Sequence, residues 1–238
     1  MISSLAIIAF AALIHASFQL SVSMLTLLSG HAIGNKTAHT KLLRLTSSFS
    51  LGVAVMTMLL LSFIAFVLQH SFGSQAPLVA WAVACGLVLG LGVAVWAFYY
   101  RRETGTSLWI PRGMARYLSE RTKATKLGTE AFGLGLSSVI AELLFIIAPM
   151  AISALVLIQL EPSLQLLGIA LYTGVSLFSL LIVWGLIGSG HKLSQIQKWR
   201  ESNKRFLQFA AGSGLLILGF YVYVDQVVTA TALAGGSL

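Results

Sequence analysis

Long apolar stretches alternate with short polar segments along the whole chain. A helix needs about 20 mostly apolar residues to cross the hydrocarbon core of a bilayer. Six stretches reach that length, namely residues 4–29, 49–70, 77–100, 131–160, 164–188 and 206–230. The pattern therefore predicts an all-α integral membrane protein with six transmembrane helices.

The amino-acid composition agrees with a membrane protein and excludes a soluble domain. Of the 238 residues, 57% are hydrophobic and 9% are charged, whereas about a quarter of the residues of a soluble domain carry a charge. The formal net charge of +8 would point to nucleic acid only if the basic residues lay on a soluble fold. We therefore expect no nucleic-acid partner.

The basic residues instead predict the orientation of the chain in the membrane. All 15 lysine and arginine residues lie in residues 30–48, 101–130 and 189–205, between apolar stretches. Because Lys and Arg are enriched in the cytoplasmic loops of membrane proteins, these segments are expected to be cytoplasmic. We expect a multi-pass protein of the plasma membrane, the inner membrane of a bacterium, with both termini outside.

The longest basic segment divides the chain into two halves of three predicted spans each, residues 1–100 and 131–238. An internal duplication would then give halves of opposite orientation, a 3+3 inverted repeat as in many transporters. Two local matches support it. Ala9-Phe10-Ala11 pairs with Ala131-Phe132-Gly133, and Gly92 to Trp96 pairs with Gly219 to Tyr223.

The segment 101–130 contains the pattern of an interfacial helix that begins after Pro111. Apolar and charged side chains fall on opposite helical faces: Ile110, Met114, Tyr117 and Leu118 on one, Arg112, Arg116, Glu120 and Lys123 on the other. We expect this helix to rest on the anionic lipids of the cytoplasmic leaflet.

Glu142 is the clearest candidate for a functional residue, since an ionisable group in the middle of a span is costly and is functional by default. Ser138 lies four residues earlier on the same helical face, and Pro149 follows in the same span. A functional Glu142 would bind a proton or a cation. The alternative is a protonated carboxyl group that holds helices together by hydrogen bonds.

A second polar group lies in the first predicted span, where His15, Gln19 and Ser23 recur every four residues and form one stripe. We expect His15 and Glu142 at comparable depth, where they could share a proton or bind a cation. Alternatively, His15 simply donates to a carbonyl group. In the fifth predicted span, Tyr172 and Ser176 share a helical face and could line a substrate site.

Other chemistry is not indicated. The sequence contains no Walker, GxSxG, HExxH or CxxC motif, so we expect no enzyme activity and no cofactor. The remaining histidines do not occur in pairs at metal-ligand spacing on one element, and we expect no metal site. Gly86 and Gly90 form a small-xxx-small step that predicts close helix packing in the third span.

The stretch from Ala131 to Ser138 is similar to the Gly-rich entry of a discontinuous helix in a grouping that includes LysE-type exporters and the membrane domains of DsbD and CcdA. Six spans, external termini and two halves joined by a basic loop also resemble that grouping. Its thiol-relay members continue with a Cys beside Pro, whereas this chain continues from Val139 to Glu142. The resemblance therefore implies export of a small solute or ion.

Two hypotheses of different classes follow. The first is a secondary transporter or exporter of a small solute or ion, coupled to a proton or cation gradient through Glu142. His15, Gln19, Ser138, Tyr172 and Ser176 would complete its binding site. The second is a non-transporting membrane scaffold or biogenesis factor, which docks a partner through its basic cytoplasmic loops. The oligomeric state is open in both.

Overall fold

The computed structural model describes residues 2–18, 28, 36–99, 112–189, 198–199, 202–229 and 231. Every regular element within these residues is a helix. In chain order they are α1 (Ile2–Ser17), α2 (Lys36–Phe72), α3 (Leu78–Ala94), α4 (Arg112–Ala124), α5 (Gly128–Leu157), α6 (Pro162–Ser176), α7 (Phe178–Gly188) and α8 (Lys204–Tyr223). Single π-helical turns, Val95–Tyr99 and Val224–Val228, continue α3 and α8.

Four of these helices, α2, α3, α5 and α8, are long and apolar enough to cross a membrane. The predicted all-α fold with membrane-length helices is therefore confirmed at this level. The stretch 164–188 is a bent pair, since α6 and α7 meet at an angle of 51°, and counting the pair as one span gives five. Helix α1 has 16 residues and measures about 24 Å, short of the bilayer core.

Two predicted boundaries change. The first stretch was predicted to continue to residue 29, but α1 ends at Ser17 and residues 19–27 lie outside the described part. The span predicted over residues 49–70 lies inside α2, which begins at Lys36, within the basic segment 30–48. The polar start of α2 is a helical extension of the apolar span.

Helix α5 lies at the centre of the bundle. In its membrane-length window 72% of the residues are buried, against 28% to 33% in α2, α3 and α8. It packs against α1, α2, α3, α4 and α6. A helix that is apolar on every face is suited to such a central position, and its polar residues are correspondingly enclosed.

Glycines allow α2 and α5 to touch along their backbones. A Cβ atom added at Gly52 would collide with the carbonyl oxygen of Phe132, and one added at Gly135 would collide with that of Phe49. The same added atoms would lie 3.2 and 3.1 Å from the Cα atom of the opposite glycine. Each glycine ends a Phe-x-Leu-Gly sequence, so equivalent residues make reciprocal contacts between two parallel helices. Such close contacts favour van der Waals packing in a membrane.

A second reciprocal contact joins α3 and α8, which run antiparallel. A Cβ atom added at Gly92 would lie 3.0 Å from the side chain of Leu216, and one added at Gly219 would lie 2.7 Å from that of Leu89. Both glycines end a Leu-x-Leu-Gly sequence. The paired segments include the match predicted between Gly92 and Gly219, although the complete inverted repeat stays a prediction.

The close packing predicted at Gly86 and Gly90 was wrong. A Cβ atom added at either position would meet nothing within 4 Å. The glycine of α3 that approaches a neighbouring helix is Gly92, on a different face. The small-xxx-small spacing alone therefore did not identify the packed face.

The helix ends next to the three basic segments lie together. At the C-terminal end of α7, Trp184 Nε1 donates to Ser47 Oγ of α2 at 3.0 Å. At the start of α5, a Cβ atom added at Gly128 would lie 3.1 Å from Ser48 Oγ. The start of α2, the start of α5 and the end of α7 thus share one end of the bundle. Its orientation in a membrane stays a prediction.

The predicted helix in the long basic segment is present as α4, where Leu118 is buried and Arg116, Glu120 and Lys123 are exposed. Tyr117 departs from the predicted apolar face because it is 52% exposed, and its ring lies under the guanidinium of Arg121 at 5.6 Å. Ile110 and Pro111, and the side chain of Met114, lie outside the described part.

The glycine contact between α2 and α5 can be tested by adding one methyl group. We expect Gly135→Ala to lower the free energy of unfolding by about 1–3 kcal/mol, because the added Cβ forces the two backbones apart. Gly133→Ala is the matched control in the same helix, where nothing lies within 4 Å, and should be neutral or stabilising by up to about 1 kcal/mol. Unfolding in mixed micelles by titration with dodecyl sulfate measures both. Equal effects would contradict the contact.

Candidate functional site

The structure describes five of the six predicted site residues, and Gln19 lies outside the described part. The five share deep burial: His15 and Ser176 are 4% exposed, Glu142 is 3% exposed, and Ser138 and Tyr172 are fully buried. They belong to α1, α5 and α6. The sequence therefore identified polar side chains that the fold removes from its surface.

His15 of α1 and Tyr172 of α6 are in direct contact. His15 Nδ1 lies 3.1 Å from the Tyr172 hydroxyl oxygen in a buried hydrogen bond, and the two rings are tilted with their centroids 5.7 Å apart. Gly168 allows α1 this close to α6, since a Cβ atom there would lie 3.2 Å from Ile8. The hydrogen bond is thus supported by close packing one turn away.

The break between α6 and α7 adjoins this pair. Helix α6 ends at Ser176, one turn after Tyr172, and the chain turns by 51° at Leu177. No proline or glycine lies at the break. Ser176 Oγ donates instead to the carbonyl oxygen of Thr173 at 2.9 Å, the kind of side-chain bond to the preceding turn that bends helices.

The C-terminal end of α1 lies at the same break. Ser179 Oγ of α7 donates to the carbonyl oxygen of Ala16 at 3.0 Å, one residue from His15. The C-terminal ends of α1 and α6 therefore meet near the His15–Tyr172 pair. Each helix end carries a partial negative charge from its last carbonyl groups, so the region is favourable for a proton or a cation.

Ser138 and Glu142 occupy a different level of the bundle. Phe18 and Phe145 stack with centroids 5.6 Å apart, which aligns the end of α1 with α5. Ile8 and Leu157 both pack at Gly168 of α6, so the first half of α1 lies beside the end of α5. Since Phe18, at the end of α1, lies beside Phe145 instead, helices α1 and α5 are antiparallel.

His15 precedes Phe18 by three residues, and Glu142 precedes Phe145 by three. Because the two helices are antiparallel, His15 and Glu142 lie on opposite sides of this aromatic contact, about 9 Å apart along the bundle axis. Their Cα–Cβ bonds also tilt away from each other, each toward the start of its own helix. His15 and Glu142 therefore do not lie at the common depth that the sequence predicted.

Ser138 lies one turn before Glu142 as predicted, and its Oγ donates to the carbonyl oxygen of Gly135 at 2.8 Å. Pro149 lies inside α5, which continues to Leu157, and Ser153 Oγ donates to the Pro149 carbonyl oxygen at 3.0 Å. The discontinuous helix of the bundle is α6–α7 instead of α5.

Thr173 and Ser179 belong to the site although they were not predicted as site residues. The Thr173 hydroxyl is buried and has no hydrogen-bond partner in the structure as described, one residue from Tyr172. Buried hydroxyl groups are normally paired, so Thr173 offers an unused donor and acceptor beside the break. Like Tyr172 and Ser176, Thr173 and Ser179 are polar residues of the fifth predicted apolar stretch, and this signal could have indicated them.

Within the described ranges, no group of three or more His, Cys, Asp or Glu side chains lies together in a way that could hold a metal ion. Comparisons with protein-family models, with curated proteins and with solved structures found no match to this chain.

The hydrogen bond between His15 and Tyr172 can be tested by Tyr172→Phe, which removes the hydroxyl group and keeps the ring. We expect the free energy of unfolding to fall by about 1–2 kcal/mol, because a buried histidine nitrogen loses its partner. Tyr117→Phe is the control, since that side chain is 52% exposed. Unfolding of both variants in mixed micelles measures the difference. An unchanged stability of Tyr172→Phe would argue against the bond.

Proposed function

We propose that this protein is a secondary transporter or exporter of a small solute or ion, coupled to a proton or cation gradient. The observation that carries the proposal is the break at Leu177 in an otherwise membrane-length apolar segment, next to the buried His15–Tyr172 pair. Broken helices at binding sites are a recurring feature of transporters, because their free helix ends face the substrate and the coupling ion.

The break would supply the binding site. Transporters use the C-terminal ends of half-helices to coordinate cations or protons, and here the ends of α1 and α6 approach each other at Ala16 and Ser179. Tyr172 and His15 add a hydroxyl group and a ring nitrogen, and Thr173 adds a hydroxyl with unused hydrogen-bonding capacity. This combination favours a small polar solute or a cation over a large apolar one.

Glu142 would be the coupling group. It is a buried carboxyl group on the most enclosed helix of the bundle, and a carboxyl group inside a membrane protein is typical of proton and ion pathways. Because Glu142 and His15 lie at different levels, the proposal assigns them different steps. Glu142 exchanges the proton or cation, and the break with His15 and Tyr172 holds the solute.

The proposed protein has six spans in a bacterial inner membrane, arranged as a 3+3 inverted repeat, with its basic loops on the cytoplasmic side. The reciprocal contact of Gly92 and Gly219 between antiparallel helices supports the repeat, because an axis in the membrane plane relates antiparallel helices. On this proposal, the chain would share the six-span architecture of the grouping of LysE-type exporters. Energy would come from an ion gradient, since the sequence has no nucleotide-binding motif.

A membrane scaffold or biogenesis factor is the alternative. It is supported by α4, whose exposed Arg116, Arg121 and Lys123 offer a basic surface for a partner. In that case the buried polar side chains would serve only to hold helices together. The two functions differ in whether ions move across the membrane.

The transport hypothesis predicts a loss of coupling when Glu142 can no longer titrate. Protein reconstituted in liposomes that contain a pH-sensitive dye should move protons when a sodium or potassium gradient, or a gradient of a solute found by screening, is imposed. Glu142→Gln keeps the shape of the side chain and should abolish this flux while the protein stays folded. Glu161→Gln, at an exposed position before α6, is the matched control and should transport normally.

Two results would contradict the assignment. Flux at the wild-type rate in Glu142→Gln would make Glu142 structural. No flux from the wild-type protein under any gradient or solute, with Glu142→Gln less stable than wild type, would favour the scaffold.

A further inference from the structure

A groove of about 470 Å³ lies between α2 and α5, at the end of the bundle where both helices begin. Its lining comes from the first turns of α5 and from one face of α2, and consists of Arg44, Ser48, Leu51, Leu127, Gly128, Thr129 and Phe132. It is separate from the His15–Tyr172 pair, which lies between α1 and α6. Its chemistry is therefore not explained by the proposed transport site.

The lining changes from charged to apolar along the groove. On α2, Arg44, Ser48 and Leu51 follow one another by about one helical turn each, going from the basic start of the helix into its apolar span. On α5, Thr129 and then Phe132 follow in the same direction. The groove thus has a mouth with a cation and hydroxyl groups, beside which Leu127 also lies, and an apolar end at Leu51 and Phe132.

Gly128 leaves room for the mouth of the groove. A Cβ atom added there would lie 3.1 Å from Ser48 Oγ, so alanine would narrow the space beside that hydroxyl. Just before α5, the backbone N–H groups of Lys126 and Leu127 donate to Glu130 Oε2 at 2.8 and 3.1 Å, so a carboxylate lies at the start of this helix. Arg44 is the cation among the residues that line the groove. Recognition of an anion would therefore depend on Arg44.

With α2 and α5 as membrane spans, the groove would lie at the boundary between lipid headgroups and acyl chains. Gly128 is the first residue of the membrane-length helix α5, and Arg44 lies four residues after the start of the membrane-length part of α2. Lys126, which is exposed, adds positive charge near the mouth. The groove combines the charge that attracts an anionic headgroup with an apolar end that suits an acyl chain.

We propose that this groove binds an anionic phospholipid, with its phosphate group on Arg44 and its first acyl-chain segment against Leu51 and Phe132. A free phosphate ion would use Arg44 and the hydroxyl groups, but it would leave the apolar end unused. The inference is independent of transport and would hold equally for a scaffold.

The experiment compares lipid binding to the full chain purified in detergent, by native mass spectrometry with phosphatidylglycerol and with phosphatidylcholine. We expect Arg44→Gln to weaken phosphatidylglycerol binding about tenfold, as the loss of one charge-assisted bidentate contact would. Lys41→Gln removes one charge a turn earlier on the same helix, outside the groove lining, and should change it less than twofold. Gly128→Ala should weaken binding without any change of charge.

Each other outcome would overturn the proposal. Equal losses in Arg44→Gln and Lys41→Gln would indicate diffuse attraction to the basic segments. Phosphatidylcholine bound as tightly as phosphatidylglycerol would remove the role of headgroup charge. Displacement of the lipid by millimolar inorganic phosphate would assign the site to free phosphate. Thermal unfolding of each variant in detergent separates lost binding from lost fold, and Arg44→Lys, which keeps the charge, should retain part of the affinity if the site is correct.

Discussion

The enclosure of α5 is the constraint on which the rest of the structure depends. Its neighbours bury most of its membrane-length segment, and the contact of Gly135 with Gly52 brings α2 to backbone distance. A polar side chain on such a helix is removed from both lipid and water, where it is costly unless it is hydrogen-bonded. The most enclosed helix of the bundle therefore carries Ser138, Glu142 and Ser153. A change of packing around α5 would change the surroundings of all three.

The same constraint explains why the discontinuous helix is α6–α7. A helix break inside a membrane leaves backbone groups that lipid cannot satisfy, so it is tolerated only against protein or water. Here the backbone N–H groups of Leu177 and Leu181 still donate to the carbonyl oxygens of Thr173 and Leu177. The hydroxyl group of Ser176 adds a second bond to Thr173, and that of Ser179 joins the bend to Ala16 of α1. The bend is stabilised by hydroxyl groups on the chain itself, which makes it a defined feature of the fold. The bend lies beside His15 and Tyr172, so these two residues share their location with Ser176 and Ser179.

The apolar stretches predicted the helical fold well, because hydropathy over some 20 residues reports membrane-length helices directly. They did not predict the break at Leu177, since a run from Gly174 to Gly188 without charge or proline has the same hydropathy whether straight or bent. The helix faces that pack against neighbouring helices could not be predicted from the sequence either. Gly86 and Gly90 have the spacing of a contact and make none, while Gly92 and Gly135 contact their neighbours because of how whole helices pack.

The site was predictable as a set of residues and not as an arrangement. Polar side chains in apolar spans are rare enough to be singled out from sequence, and His15 and Tyr172 do meet. The relative level of His15 and Glu142 depends on the antiparallel register of α1 and α5, which the aromatic contact of Phe18 with Phe145 reveals. A count of residues from each span end cannot supply that register.

On the proposed function, the break at Leu177 forms the solute site and is accessible from both sides of the membrane. The most direct measurement is the reaction of Ser176→Cys, in a Cys85→Ala background, with a small cationic thiol reagent added to either side of reconstituted liposomes. We predict reaction from both sides, whereas Ser153→Cys, at a fully buried position of α5, should react from neither. If Ser176→Cys in folded protein reacts from neither side or from one alone, the break is a sealed structural bend and the account is contradicted.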